Sequence, residues 1–277
     1  MFNRIISVVM VAFSVVIMAF NVSANNSMPI SIYVNEREIS TDNKAYVENG
    51  TTFVPVRAIC NAMGITDVQW NGSEKKAIVN GFNKIEFYAG KKYAYVNGEK
   101  KTMPYAAELK NGRTMVPLRF FAEESDAIVE WDNILHAVKL TKDGVNVPEV
   151  HTANEYSADE ILWLSRIVEA ESAGEPIKGQ IAVANVVLNR VKDLNYPSTI
   201  KGVIFDRNYG VQFQPVANGT IYNTPSRKCV SAAKRAVNGE NYVGKCLYFL
   251  NERIATNIWI VKNRDYYTTI HNHSFYL

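Results

Sequence analysis

Between residues 30 and 142 the chain repeats itself. "YVNEREI" (33–39) returns as "YVNGEKK" (95–101), 62 residues later, and "NGTTFVPVR" (49–57) returns as "NGRTMVPLR" (111–119) at the same offset. "VQWNGSEKKAIV" (68–79) is answered by "VEWDNILHAVKL" (129–140) after a one-residue deletion. A duplicated unit constrains a fold strongly, because one pattern has to satisfy two places in the chain. Each copy reads as short strands joined by Asn-Gly or similar turns, then a helix opened by a proline (Pro55 or Pro117). A strand carrying Trp70 or Trp131 follows, with a hairpin partner. The expectation for residues 25–142 is a small α+β unit, present twice. The alternating apolar pattern around Trp70 and Trp131 favours core packing over stacking on sugars, and Arg57 and Arg119, which follow apolar helix starts, read as structural.

The segments before and after this unit behave differently. "MFNR" carries a positive charge, "IISVVMVAFSVVIMAF" is an unbroken apolar run, and "NVSA" ends in small residues, which reads as a secretory signal over residues 1–24 with cleavage after Ala24. The competing reading is an uncleaved anchor, because the run falls just short of a full membrane span. Export permits disulfides, yet the rest of the chain holds only Cys60, Cys229 and Cys246. An odd count is no disulfide framework. A bridge between Cys229 and Cys246 stays open, and Cys60 reads as a buried thiol. A net charge of +3 is too small to argue for nucleic acid. "DGVNVPEVHTANEY" (143–156) is polar and without period, and is expected as a linker.

The second half, 157–277, holds the chemistry. Ser157 with Glu160 three residues on is a capping box, and Ile161, Leu164 and Val168 form the inward stripe of an amphipathic helix. Its far end, "VEAESAGEP" (168–176), places Glu169, Glu171 and Glu175 where a helix C-terminus disfavours acids by roughly 0.3 to 1 kcal/mol each. Glu169 lies three residues after Arg166 and reads as a surface pair. Glu175 precedes Pro176 and sits at the start of the following helix. Glu171 continues the apolar stripe and has no such role. A carboxylate on a partly apolar wall has a raised pKa, as a general acid requires.

"PIKGQIAVANVVLNRV" is apolar round nearly its whole circumference and is expected at a domain centre. "GVQFQPVANGTIYNTP" (210–225) is a loop rich in amide and aromatic side chains, suited to a glycan groove. His271 and His273 read as hydrogen-bonding residues on one face of a strand. G-x-S-x-G, H-E-x-x-H, P-loop and G-x-G-x-x-G motifs are absent from the sequence. Carboxylate chemistry remains.

Both halves resemble known families. The paired "VPVR" and "VPLR" with a following tryptophan are similar to the family named for the N-terminal domain of copper amine oxidases. That resemblance implies a non-catalytic appendage without copper chemistry, binding the wall or a protein partner. "EAESAGEPIKGQIAVANVVLNRV", "QFQPVANG", "CLYFLN" and the terminal "HNHSFY" occur in order and resemble the cell wall hydrolase family of spore cortex-lytic enzymes. This implies a lysozyme-like, mainly helical domain, no cofactor or metal, and cleavage of the N-acetylmuramic acid to N-acetylglucosamine linkage in peptidoglycan. Glu171 falls on the family's catalytic glutamate, Gln212 and Phe213 on its groove-lining segment, and Tyr248, Asn251, His273 and Tyr276 on its C-terminal blocks. Two departures stand out: the N-terminal module differs from that of the better-known spore enzymes, and Ala173 replaces an arginine often found before Gly174. Spore cortex and vegetative wall therefore both stay open as substrates.

The sequence supports an exported, α+β, two-domain peptidoglycan lytic enzyme. Membrane contact is expected only through the signal segment. A non-catalytic glycan-binding wall protein and a wall amidase are the alternatives. An amidase would need a metal cluster or a cysteine nucleophile, and neither Cys229 nor Cys246 lies in a nucleophile motif. No second carboxylate stands out as a partner for Glu171, because Asp193, Asp206 and Glu240 read as surface or loop residues. The mechanism expected is that of a lytic transglycosylase, which needs one.

Overall fold

The structure, a computed structural model, describes residues 29–208 and 212–277. The expected signal segment lies outside them. No helix among the described residues is long and apolar enough to cross a membrane.

The N-terminal half runs β1 (Ser31–Val34), β2 (Arg37–Ile39), β3 (Tyr46–Glu48), β4 (Thr51–Pro55), α1 (Val56–Ala62), β5 (Val68–Asn71), β6 (Lys76–Asn80) and β7 (Lys84–Tyr88). It continues with β8 (Tyr93–Val96), β9 (Glu99–Thr102), β10 (Glu108–Lys110), β11 (Arg113–Pro117), α2 (Leu118–Glu123), β12 (Ile128–Asp132) and β13 (Ala137–Thr141). The turn pairs Asn49-Gly50, Asn97-Gly98 and Asn111-Gly112 all have positive φ, the geometry that two-residue hairpin loops demand. Those turns make the duplication legible as hairpins.

The two copies then interlock. β4 pairs with its own repeat β11, Val54 opposite Val116, at the centre of a sheet ordered β10-β11-β4-β3. Each tryptophan hairpin joins the opposite copy's first hairpin: β12-β13 adds to β1-β2, and β5-β6 reaches β8-β9 through β7. One core of Val34, Val54, Ile59, Phe87, Val116 and Phe121 fills the space between them.

Two expectations are corrected here. Trp70 and Trp131 are 41% and 40% exposed, not core residues. The alternation is real, but both lie on the outward side of terminal sheet strands. Residues 143–156 are not a free linker. After a 3-10 turn at Glu149–His151, β14 (Thr152–Ser157) pairs with β2 at the edge of the first sheet, and Arg37 donates to the carbonyls of Asn154 and Glu155. An edge strand buries little, so its polar sequence shows no period.

Ser157 ends β14 and caps the next helix, with its capping box to Glu160 formed as expected. The C-terminal half contains α3 (Ala158–Ser172), α4 (Ile177–Lys192), α5 (Ile200–Phe205), α6 (Gln214–Asn218) and α7 (Arg227–Val237). It ends with β15 (Tyr248–Leu250), α8 (Trp259–Asn263), β16 (Tyr266–Ile270) and β17 (His273–Tyr276), the strands ordered β15-β17-β16. Ile161, Leu164 and Val168 are fully buried, and every residue of α4 from Gly179 to Leu188 is buried, which puts that helix at the domain centre. The architecture is α+β: a β-rich first half, then a mainly helical second.

The halves share a core. Tyr33, Leu135 and Ala137 of the first belong to the same buried cluster as Ile161, Leu164, Val187 and Val230 of the second. Lys234 of α7, buried at this junction, donates from Nζ to the Leu135 carbonyl at 2.5 Å and to Ser31 Oγ at 2.8 Å. Cys60, Cys229 and Cys246 are all buried and free, with Cys229 and Cys246 in different apolar clusters.

Candidate active site

The apolar stripe of α3 delivers Glu171 to the last turn of the helix, where the chain would normally present unpaired carbonyls. The fully buried Gln180 of α4 donates from Nε2 to the carbonyls of Ser172 and Ala173, each at 3.2 Å. It thereby caps the end of α3 and offsets part of the negative field that an acid there would meet.

Glu171 faces a groove of about 1370 Å³. That exceeds the roughly 300 to 1,000 Å³ of a small-molecule pocket and suits an extended oligomer. The end of α3, the Gln212–Gln214 segment, β15, and the segment from Asn251 through α8 enclose it. Among the described residues the Glu171 carboxylate has no hydrogen-bond or ion-pair partner. Burial raises its pKa to about 7, against an opposing pull from Arg190. The group is thus protonated in a substantial fraction near neutrality.

Arg190 is the site residue that sequence reasoning missed. It sits on α4, a helix read as apolar all round, and a charge within such a helix was the available signal. Its Nε donates to the Leu247 carbonyl at 2.7 Å, and its guanidinium lies 5.2 Å from the ring centroids of both Tyr196 and Phe213 and 5.7 Å from that of Tyr248. Nη1 is buried without a partner among the described residues. A cation held by aromatic faces leaves its charge available to the carboxylate beside it.

The other two glutamates of the motif are engaged. Glu169 does not pair with Arg166, which instead lies over Trp163. Its Oε2 accepts from Ser226 Oγ at 2.6 Å and from Ser226 N at 2.9 Å, tying α3 to the start of α7. Glu175 is buried and holds the β16–β17 turn: Asn272 donates from Nδ2 to Oε1 at 2.9 Å and from its backbone N to Oε2 at 3.3 Å, and His271 Nδ1 lies 3.0 Å from Oε2. Burial works to raise the Glu175 pKa, and the bonds from Asn272 and His271 outweigh it, so the group is held below its usual value. A Cβ at Gly179 would come within 3.1 Å of Glu175 Cβ, so the glycine keeps this carboxylate's place clear.

The remaining acids also have partners. Asp193 accepts from Asn195, Asp206 from the Asn208 backbone, and Glu240 pairs with Arg235 and Tyr242. None of the three lines the groove.

Of the residues singled out from sequence, Glu171, Gln212, Phe213, Tyr248, Asn251 and His273 all line this one groove. Phe213 is buried beneath Arg190 and forms wall, not platform. Tyr276 is not in the groove; it is buried in β17, donates to Glu252 at 2.6 Å and packs on Tyr266. His271 and His273 do not share a strand face: His271 is in the turn at φ 53°, and His273 is buried in β17 against Phe249. Burial lowers the His273 pKa below its usual value of 6.5, against an opposing pull from Glu175. Trp259 and Arg264, also unforeseen, line the same groove, with Arg264 5.0 Å from the Trp259 ring centroid and bonded to Tyr248 Oη.

Comparison with known proteins matches the two halves to different families, leaving residues 141–173, and with them Glu171, between the two matched segments. Residues 33–140 match the family model of the copper amine oxidase N-terminal domain, and residues 174–276 that of the Cell Wall Hydrolase. The spore cortex-lytic enzyme of Bacillus cereus is 43% identical over 117 residues, which is 42% of this chain and 42% of that protein. The spore cortex-lytic enzyme of Bacillus subtilis strain 168 is 37% identical over 105 residues, 38% of this chain and 33% of that one. The chain thus spans well under half the length of these curated relatives. The catalytic domain of the germination-specific lytic transglycosylase SleB from Bacillus anthracis is 39% identical, with 47% of this chain and all of that one covered, at a TM-score of 0.42. Residues 174–276 are thus similar to the Cell Wall Hydrolase family and residues 33–140 to the copper amine oxidase N-terminal domain family.

Proposed function

We propose that this protein is an exported lytic transglycosylase that cleaves the N-acetylmuramic acid to N-acetylglucosamine linkage of peptidoglycan, with Glu171 as its single catalytic group. The observation that carries this reading is that, among the described residues, Glu171 is the one groove carboxylate without a partner, and that burial brings its pKa to about 7. The likeness to spore cortex-lytic enzymes supports it.

Protonated Glu171 donates to the glycosidic oxygen as the bond from the muramic anomeric carbon breaks, releasing the next sugar with a free hydroxyl. The carboxylate then takes the proton of the muramic 6-hydroxyl as that oxygen closes on the anomeric carbon. Glu171 ends protonated, the product ends in 1,6-anhydromuramic acid, and no water is consumed. Hydrolysis with retention or inversion would need a second free carboxylate roughly 5 to 9.5 Å away. Glu169 and Glu175 line the groove but are committed to Ser226 and to the His271–Asn272 turn. Arg190 stabilises the carboxylate midway through the cycle. Gln212, Gln214, Asn251 and Asn257 supply amides for sugar hydroxyl and N-acetyl groups, and Trp259 supplies a face for a ring. Mass spectrometry of sacculus digests tests the reading: anhydro ends are expected, and reducing ends throughout would overturn it.

A further inference from the structure

The duplication places two versions of one sequence on one chain, and the positions identical in both sort by physical reason. Val34 and Val96, Ala45 and Ala107, and Val54 and Val116 are buried. Asn35 and Asn97, like Asn49-Gly50 and Asn111-Gly112, form positive-φ turns. Arg57 with Arg119, and Trp70 with Trp131, fit neither class. All four are exposed, on helices and strands where no turn geometry is required. Trp70 and Trp131 are 41% and 40% exposed, so each copy leaves much of its indole uncovered.

In the first copy these residues come together. Arg57 and Trp70 line a groove of about 550 Å³ with Asn61, Leu109 and His151, remote in sequence from the Glu171 groove. Arg57 Nη2 donates to the Val68 carbonyl at 3.1 Å, fixing the guanidinium beside the strand that carries Trp70, and among the described residues no other bond of its side chain is made. At one end Asp42 is paired with Arg113. An open aromatic face beside an oriented guanidinium and an amide fits a sugar ring with N-acetyl and carboxylate substituents: the ring's C–H face lies on the indole, and the donors meet the polar groups at its edge.

We propose that this groove is a second glycan-binding site, taking an N-acetylated amino sugar of the peptidoglycan strand on Trp70 with Arg57 at its polar edge. The identity of the polymer rests on the lytic reading of the Glu171 groove. Tyr33, Leu135 and Ala137 join the two halves in one buried cluster, so both sites sit on a continuously packed chain. A repeating, insoluble polymer presents the same sugars to each, and a second attachment raises the effective concentration of strand at the first.

The test uses the chain carrying Glu171→Gln, so that binding is measured without digestion, on sacculi freed of protein and of acid-labile polymers. Trp70→Ala and Arg57→Ala are each expected to weaken retention about 10-fold, and Trp70→Tyr, which keeps a ring platform, to recover most of it. In chains with Glu171 intact, turnover of short soluble glycan fragments stays unchanged. Circular dichroism establishes that each variant is folded, and Arg57→Ala carries the test if Trp70→Ala is not. Full retention by folded Trp70→Ala and Arg57→Ala variants overturns the proposal. So does a loss seen only on walls that keep their proteins, which would make the occupant a protein. If the Glu171-intact chain cleaves nothing, yet Trp70→Ala still abolishes sacculus retention, the lytic reading fails and the glycan site stands.

Discussion

Replacing Glu171 by glutamine should make the protein both inactive and more stable. Burial raises the Glu171 pKa from 4.5 to about 7. For an acid whose folded value lies above its unfolded one, the native state holds the proton longer, so the cost of the charged form is absent below pH 4.5. It grows as pH rises towards 7 and is complete above it. The difference of about 2.5 pKa units corresponds to roughly 3 kcal/mol at pH 7 to 8, and to under about 1 kcal/mol at pH 5. Glutamine keeps the shape and removes the charge. In a chain of this size that is a rise in melting temperature of roughly 5 to 10 °C at pH 7.5, shrinking towards zero at pH 4.5. Activity on sacculi should fall at least about 100-fold, the low end for general acid catalysis. Thermal unfolding of both proteins across pH 4.5 to 8, with dye release from labelled sacculi, checks the two arms together. An inactive variant with unchanged melting temperature at pH 7.5 would refute the desolvation argument. A folded, fully active one would remove Glu171 from the chemistry and make Glu175 next to test.

Other outcomes follow from neighbouring residues. Arg190→Gln removes the charge that opposes the rise in the Glu171 pKa, so the alkaline limb of the kcat/KM profile should move to higher pH; an unmoved limb in a folded variant means that Arg190 does not act on Glu171. Glu175→Ala frees the His271–Asn272 turn and leaves its donors unpaired, and should cost about 1 to 3 kcal/mol in chemical denaturation while any residual activity keeps its pH profile. The isolated 157–277 fragment should cleave soluble fragments when folded. It should melt below the full chain, because it loses the cover of Tyr33 and Leu135, each worth roughly 1.5 to 3 kcal/mol when fully buried. A fragment as stable as the full chain would mean that the shared core contributes nothing.

Much of this molecule is legible in residue order alone. The Asn-Gly turns, the prolines opening α1 and α2, the capping box of Ser157 and the stripe leading to Glu171 are all local signals. A turn needs positive φ, a helix start needs a cap, and an amphipathic face has a period. Each depends on residues within a few positions, so the duplicated unit, the helical second half and the candidate acid could be located from residue order. The Gln212–Phe213 loop stands out by its amide and aromatic composition, but its joining with Tyr248, Asn251 and His273 comes only through resemblance, since nothing local links them.

What the sequence could not supply were partners chosen across long separations. Glu175 meets His271 across 96 residues, and Lys234 meets Leu135 across 99. The commitment of Glu169 to Ser226, the placing of Arg190 beside Glu171, and the pairing of β14 with β2 are likewise products of packing. So is the outward setting of Trp70 and Trp131, because a period of two says that faces alternate but not which face another element covers. The sequence by itself determined where an uncompensated carboxylate stands. Tertiary structure decided that its two neighbours, though they line the same groove, are occupied, and that of the three it alone has no partner among the described residues, because hydrogen-bond partners and burial are fixed only when distant segments pack.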